Sequence, residues 1–159
     1  MASVVSIVPA RSAGDMAAAA ELFAAYAAML PIDLAYQGFG EELAALPGKY
    51  APPDGELLLA RSEDGTALGC VALRPISPQG CCEMKRLFLA PSARGQGLGR
   101  ALAEAIVAAA RARGYGQMRL DTLETMAPAI GLYEQLGFAR IAPYYAPTPE
   151  GTVFMGMAL

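Results

Sequence analysis

Hydrophobic and polar positions in the first third of the chain follow first a strand pattern and then a helix pattern. The β-branched run Val4–Val8 predicts a first strand. Ser12 and Asp15 have the spacing of a capping box, which predicts the start of a helix that ends before Pro31. One face of this helix is apolar, and it carries Leu22, Phe23, Tyr26, Met29 and Leu30. A short helix is predicted at Glu41–Leu46, inside an otherwise irregular stretch.

The rest of the chain predicts a β-meander followed by crossovers through helices. Turn residues separate predicted strands at Glu56–Arg61, Ala67–Arg74, Cys82–Ala90, Gln117–Leu123, Phe138–Ile141 and Thr152–Ala158. Two helices are predicted among them, at about Leu98–Arg113 and near Ala127–Leu136. Antiparallel hairpins followed by β-α-β crossovers imply an α+β fold, with a mixed sheet and helices packed on it. Without repeats or a linker, residues 1–159 are expected to form one domain.

Composition and charge exclude several classes of function. The chain is 55% hydrophobic and 17% charged, which excludes disorder, and its net charge of −3 disfavours a nucleic-acid partner bound through a basic surface. The absence of histidine excludes Cys/His zinc sites and catalysis by Ser-His-Asp or Cys-His groups, so no metal is expected. No apolar run reaches the ~20 residues of a membrane span. Three unpatterned cysteines and no evident export signal predict a cytoplasmic protein.

The clearest chemical signal is a glycine-rich loop between a predicted strand and a predicted helix. Gly95, Gly97 and Gly99 alternate with other residues just where the helix at Leu98 begins. The first amides of a helix have no helical partner, and glycines let a ligand approach them closely, so the loop predicts an anion site suited to a diphosphate. It matches neither the Walker loop nor GxGxxG, because the third glycine of the latter is Arg100 here. The alternative is a loop that only turns the chain.

These residues resemble the GNAT superfamily of N-acetyltransferases. Arg94-x-x-Gly97-x-Gly99 is similar to the superfamily's Arg/Gln-x-x-Gly-x-Gly/Ala signature, and Leu87-x-Leu89-x-Pro91 resembles the strand before it. The segment Leu132–Phe138 is similar to the superfamily's second helix-to-strand signature, and the order of elements agrees along the whole chain. The resemblance implies a mostly antiparallel sheet that is splayed at the cofactor site. It also implies acetyl-CoA as co-substrate.

The resemblance also assigns residues to the coenzyme. The loop amides are expected to hold its pyrophosphate, and they belong to Arg94, Gly95, Gln96, Gly97, Leu98, Gly99 and Arg100. The backbone of the preceding strand is expected to pair with the pantetheine arm, through Leu87, Phe88 and Leu89. The sequence departs from the superfamily at Met126, where many members have an asparagine. This departure puts one side-chain contact to the pantetheine in doubt.

Two residues are candidates for catalysis. Tyr133 aligns with the superfamily's tyrosine near the coenzyme sulfur, and a phenol is a suitable proton donor to a thiolate. Its alternative role is packing of the helix on the sheet. Glu83 resembles the glutamate that deprotonates the amine in some lysine acetyltransferases of the superfamily, but it could equally be a salt-bridged strand residue. Regular alternation would put Glu83 on one face with Lys85, Leu87 and Leu89.

The acceptor is specified least. Loop residues in two segments are the candidates for contacting it: Tyr36, Gln37, Phe39, Tyr144 and Tyr145. The expected activity is direct transfer of an acetyl group from acetyl-CoA to a primary amine of a small molecule. The alternatives are acetylation of a protein N-terminus or lysine, and a non-catalytic acyl-CoA-binding or sensor domain. A homodimer is one of the assemblies that the sequence leaves open.

Overall fold

The computed structural model describes residues 4–159 as one mixed sheet with helices on both faces. The predicted domain also includes residues 1–3, which lie outside the described part. Within residues 4–159 the sheet has seven strands: β1 (Val5–Pro9), β2 (Glu56–Ser62), β3 (Ala67–Ile76), β4 (Cys81–Leu89), β5 (Gln117–Leu123), β6 (Ala139–Arg140) and β7 (Thr152–Ala158). The α-helices are α1 (Ala13–Met29), α2 (Phe39–Ala44), α3 (Leu98–Ala112) and α4 (Ala127–Leu136).

The strand order is β1-β2-β3-β4-β5-β7-β6, and all neighbours are antiparallel except β4 and β5. The sequence-based prediction of a mixed, mostly antiparallel sheet is therefore confirmed. The predicted capping box is also present, since Ser12 Oγ accepts from the amide of Asp15 and the Asp15 carboxylate accepts from the amide of Ser12. No helix within residues 4–159 is both long enough and apolar enough to cross a membrane.

Each face of the sheet has its own hydrophobic layer. On one face, α3 packs against the sheet through fully buried residues such as Leu102 and Ile106, and α4 packs there through Ile130. On the other face, α1 packs through Phe23, whose ring meets Tyr50 edge-on at 6.0 Å. Because both faces are covered, polar side chains on the central strands are buried, and those on β4 form much of the candidate site.

The two parallel strands separate after three paired positions. β4 and β5 pair from Cys81 with Gln117 to Glu83 with Arg119, and no pairing of these strands is found beyond that point within residues 4–159. Arg86 has φ +61°, and the register between β3 and β4 shifts there, which marks a β-bulge. A bulge reverses the alternation of side chains along a strand. The predicted common face for Glu83, Leu87 and Leu89 is therefore wrong, because both leucines pack on the α3 face.

Candidate active site

The glycine loop runs directly into the N-terminus of α3. Gly95 and Gly97 have φ values of +80° and +79°, a left-handed backbone conformation that residues with a Cβ atom rarely adopt. Gly97 is the N-cap of α3, and no side chain caps the helix there. The first-turn amides and the positive end of the helix dipole are therefore available to an anion from outside. A Cβ added at Gly95 or Gly97 would meet nothing within 4 Å, so the face of the loop is open.

The side chains of Arg94 and Arg100 are directed to other partners and leave the loop amides accessible. The Arg94 guanidinium lies 5.7 Å from the centre of the Phe88 ring, and its Nε donates to the Leu89 carbonyl at 3.3 Å. Arg100 pairs with Glu104 at 2.8 Å, as the four-residue spacing predicts, and also donates to Gln135. Both side chains are exposed, so they can add positive charge near the loop while the backbone contacts the ligand.

The separation of β4 and β5 opens a cleft along β4, the strand that precedes this loop. Its lining includes Lys85 and Leu87 from β4, Asp121 from β5, and Met126 and Tyr133 from the start and the middle of α4. Leu89 and Phe88 pair with Gly69 and Cys70 of β3 along one edge of β4. The opposite edge, towards β5, has no strand partner in the part of the chain that the structure describes. An extended ligand can therefore add to that edge as a neighbouring strand would.

Tyr133 lies at the floor of the cleft. Its ring packs edge-on against Phe138 at 5.8 Å, and burial raises the pKa of its hydroxyl above the ordinary value. This hydroxyl makes no hydrogen bond within residues 4–159. Every fully buried polar side-chain atom in this part of the chain has a hydrogen-bond partner, so the Tyr133 hydroxyl is not fully buried. The Tyr133 hydroxyl therefore faces the open cleft, where it keeps its proton at neutral pH and can donate it.

Glu83, the other candidate for catalysis, is fully buried and does not line the cleft. Its carboxylate accepts a hydrogen bond from Arg74 Nε at 2.8 Å and another from the Tyr144 hydroxyl. Lys85 Nζ is 3.9 Å away. With both oxygens engaged, this geometry favours the salt-bridged alternative over direct contact with a substrate amine.

The predicted acceptor residues fall into two groups. Gln37 brings three of them together, since its Nε2 donates to the hydroxyls of Tyr36 at 2.8 Å and of Tyr145 at 3.3 Å. Tyr36 and Gln37 line the cleft. The other three do not line it: Phe39 lies beneath the Arg86 guanidinium, Tyr144 packs edge-on against Phe154 at 5.1 Å, and Tyr145 is connected to the cleft through Gln37 and Asp121.

Three charged residues at the cleft were not predicted as site residues. Lys85 and Arg86 each donate to Gln37 Oε1 at 2.9 Å, and Asp121 accepts from the Tyr145 hydroxyl. Arg86 also makes two hydrogen bonds to Glu42, at 2.9 and 3.0 Å. A signal for two of them was present in the sequence, because adjacent cations inside a mostly apolar strand are rarely buried unless they are paired.

Comparison with known proteins agrees with this architecture. Residues 21–138 match the model of the acetyltransferase (GNAT) family. An uncharacterised N-acetyltransferase of Schizosaccharomyces pombe is 45% identical over 128 residues, which cover 80% of this chain and 78% of that protein.

Solved structures show the same fold. A Klebsiella pneumoniae structure, provisionally assigned as an acyl-CoA N-acyltransferase, superposes with a TM-score of 0.71 at 30% identity and covers 99% of this chain and 97% of that one. A GNAT-family acetyltransferase of Staphylococcus aureus superposes with a TM-score of 0.80 at 16% identity, covering 98% of this chain and 99% of that one, and it supports the fold alone. The chain is an acyltransferase that belongs to the acetyltransferase (GNAT) family.

Proposed function

We propose that this enzyme transfers an acetyl group from acetyl-CoA directly to a primary amine of a small molecule. The observation that carries the proposal is the uncapped N-terminus of α3, with the left-handed Gly95 and Gly97 before it, in the segment that follows β4. β4 is also the strand that separates from β5 to form the cleft. An anionic diphosphate fits the first element, and an extended arm fits the second. Members of the family use acetyl-CoA, whose diphosphate and pantetheine arm have these shapes.

The chain's own residues supply positioning and proton transfer. Bound acetyl-CoA supplies an activated acetyl group. The neutral amine of the acceptor bonds to the acetyl carbon as the carbon–sulfur bond breaks, and sulfur keeps the electron pair. Tyr133 donates a proton to the sulfur, since its hydroxyl faces the cleft and burial keeps it protonated. The amine releases its proton to Asp121, the carboxylate that lines the cleft. Glu83 has a positioning role, because its carboxylate accepts hydrogen bonds from Arg74 and Tyr144.

A small acceptor is favoured over a protein because two distant segments meet at the acceptor end of the cleft, which Tyr36, Gln37, Lys85 and Asp121 line. Gln37 and Tyr145 are 108 positions apart in the chain, and their hydrogen bond of 3.3 Å joins the two segments beside this end. A polypeptide would need an open groove for several residues beside its amine. Names of relatives do not decide this point: streptothricin acetyltransferase of Streptomyces lavendulae, 33% identical over 86 residues, is named for a small molecule, and the E. coli ribosomal-protein-S18-alanine N-acetyltransferase, of similar fold, is named for a protein.

The first test is calorimetric titration of the purified protein with acetyl-CoA, with ATP and NADP as competitors. We expect saturable binding of acetyl-CoA that neither competitor displaces at equal concentration. A screen of primary amines, with release of free thiol as the readout, then tests transfer. Absence of binding would contradict the proposal, and transfer only to a peptide N-terminus or lysine would replace it with the protein-acceptor alternative. Retained activity of Glu83→Gln, with an unchanged pH profile, is expected if Glu83 is a salt-bridged residue.

A further inference from the structure

The acceptor end of the cleft has opposite charges on its two walls. Lys85 on β4 and Asp121 on β5 both line it. The parallel register that pairs Glu83 with Arg119 would bring Lys85 opposite Asp121 two residues further on, where the strands have already separated. Among the ion pairs within residues 4–159, none joins Lys85 to Asp121. The gap between these two side chains can therefore receive a group that carries both charges.

The positive charge of Lys85 has little compensation from nearby carboxylates. Arg86, the next residue, makes two hydrogen bonds to the Glu42 carboxylate. The carboxylate paired with Lys85 Nζ is that of Glu83 at 3.9 Å, and it already accepts hydrogen bonds from Arg74 and Tyr144. Burial, together with the neighbouring Arg86, lowers the pKa of Lys85 to about 8. A buried ammonium group with little compensation is stabilised by an anion that enters the cleft.

Gln37 indicates where that anion would lie. Its amide oxygen accepts hydrogen bonds from Lys85 Nζ and Arg86 Nη1, both at 2.9 Å. Two cations that converge on one oxygen are the usual arrangement for a carboxylate, because charge-assisted hydrogen bonds are the strong ones. The amide nitrogen of Gln37 donates to Tyr145, whose hydroxyl donates to Asp121. The same side chain thus connects the cationic wall with the anionic one.

We propose that the acceptor is a zwitterion of the α-amino-acid type, with its carboxylate bound at Lys85 and Arg86 and its ammonium group at Asp121. The ammonium group first releases one proton to water, because only the neutral amine bonds to the acetyl carbon. The proton that the nitrogen releases on forming the amide then goes to Asp121. This inference rests on the proposed function and narrows it from small primary amines in general. In an α-amino acid the amine and the carboxylate are attached to the same carbon, so one small molecule can pair with a cation on one wall of the cleft and with an anion on the other. A simple amine would leave Lys85 without its counter-charge.

The test compares each α-amino acid with its carboxamide and with the amine that lacks the carboxyl group. We expect kcat/KM for the preferred amino acid to exceed that for its carboxamide by about tenfold or more. Lys85→Met should raise KM for the amino acid by ~10- to 100-fold and leave KM for the carboxamide within about threefold. Gln37→Glu, which brings a carboxylate of the protein to the same cations, should favour the carboxamide.

Lys49→Met is the matched control, because Lys49 is the chain's other lysine and is exposed outside the cleft. It should leave both KM values unchanged. Lys85→Arg keeps the charge and should retain part of the preference. If the wild type acetylates the carboxamide or the simple amine as well as the amino acid, or if Lys85→Met keeps the preference, the zwitterion is the wrong class while the proposed function stands. If acetyl-CoA binds but no small amine is acetylated, both proposals are overturned.

Discussion

The coenzyme side and the acceptor side of the cleft are built in different ways. On the coenzyme side, the candidate ligands are backbone amides of seven consecutive residues, Arg94 to Arg100. On the acceptor side they are side chains from distant segments, since Gln37 contacts Lys85 and Tyr145 at separations of 48 and 108 residues. Recognition by backbone requires glycines at fixed local positions, whereas a side-chain network is assembled by the fold. Sequence can therefore reveal the first kind of site far more easily than the second.

The largest effect is expected from Gly97→Glu on the coenzyme side. This substitution would bring a carboxylate to the uncapped N-terminus of α3 and force a residue with a Cβ into φ +79°. Repulsion of a diphosphate at close range should weaken acetyl-CoA binding by ~100-fold or more. Calorimetric titration measures this directly.

Gly65→Glu is the matched control for Gly97→Glu. Gly65 has φ +87° in the turn between β2 and β3, and a Cβ there would also meet nothing within 4 Å. Both variants carry similar backbone strain and the same added charge, so their melting temperatures should fall by similar amounts. Only Gly97→Glu should lose coenzyme affinity. Equal affinity of the two variants for acetyl-CoA would show that the loop does not bind the coenzyme.

Tyr133→Phe tests the residue at the floor between the two sides. Loss of a proton donor should lower kcat by ~10- to 100-fold, with the acetyl-CoA dissociation constant within about twofold of the wild type. Tyr115→Phe is the control, because the Tyr115 hydroxyl donates to the Asp54 carbonyl far from the cleft. An unchanged kcat in Tyr133→Phe would mean that Tyr133 only packs against Phe138 and donates no proton.

Much of the fold could be predicted because its signals are local. The capping box at Ser12 and Asp15, the apolar stripe of α3 and the glycine after α4 each determine structure within a few residues. The observed bounds of β5, α4 and β7 coincide with the predicted ones. The bulge at Arg86 could not be predicted, because a non-glycine residue with φ +61° has no local sequence signal and depends on its contacts with Glu42 and Gln37.

The bulge also explains why the acceptor side was predicted only in part. Regular alternation along β4 predicts one face for Glu83, Lys85 and the apolar Leu87 and Leu89, so nothing in the sequence directs Lys85 towards a cleft. In the structure, the bulge leaves Lys85 and Arg86 on the opposite face from the leucines, beside Gln37. Residue type and loop position predict Tyr36, Gln37 and Tyr145 as candidates, but the hydrogen bonds that join both tyrosines to Gln37 could be found only in three dimensions.

A pH profile sharpens the comparison on the acceptor side. Lys85 has a pKa of about 8, so its charge is present below that pH and is lost above it, whereas an arginine stays charged. The charged groups facing Lys85 are Arg74, Glu83, Arg86 and Asp121. The test divides kcat/KM of the wild type by kcat/KM of Lys85→Arg, with one amino acid as the acceptor. This ratio should fall by up to ~10-fold per pH unit above about 8, because kcat/KM depends on the protonation state of the free enzyme, in which Lys85 loses its proton. Ionisation of the acceptor cancels in this ratio, and a flat ratio would argue against a carboxylate at Lys85.

The smallest effect is expected from Met126→Asn, which returns the coenzyme side towards the superfamily's pattern. Met126 is the N-cap of α4, no side chain caps that helix, and Met126 lines the cleft. An asparagine could accept a hydrogen bond from the amide of Ala129 and offer a polar contact to an extended arm in the cleft. We expect the free energy of unfolding to rise by ~0.5–1 kcal/mol and acetyl-CoA to bind ~2- to 5-fold more tightly, which is the size of one hydrogen bond.

Met126→Gln separates these two effects of Met126→Asn. Glutamine offers an amide on a longer side chain but is a poor N-cap, so it should leave the stability of α4 unchanged. Tighter binding in both variants would indicate a direct contact with the coenzyme arm. Tighter binding in the asparagine variant alone would indicate that a better-ordered α4 positions the cleft. Unchanged binding in both would mean that backbone groups alone hold the coenzyme, and the contrast between a backbone-built and a side-chain-built side would then be complete.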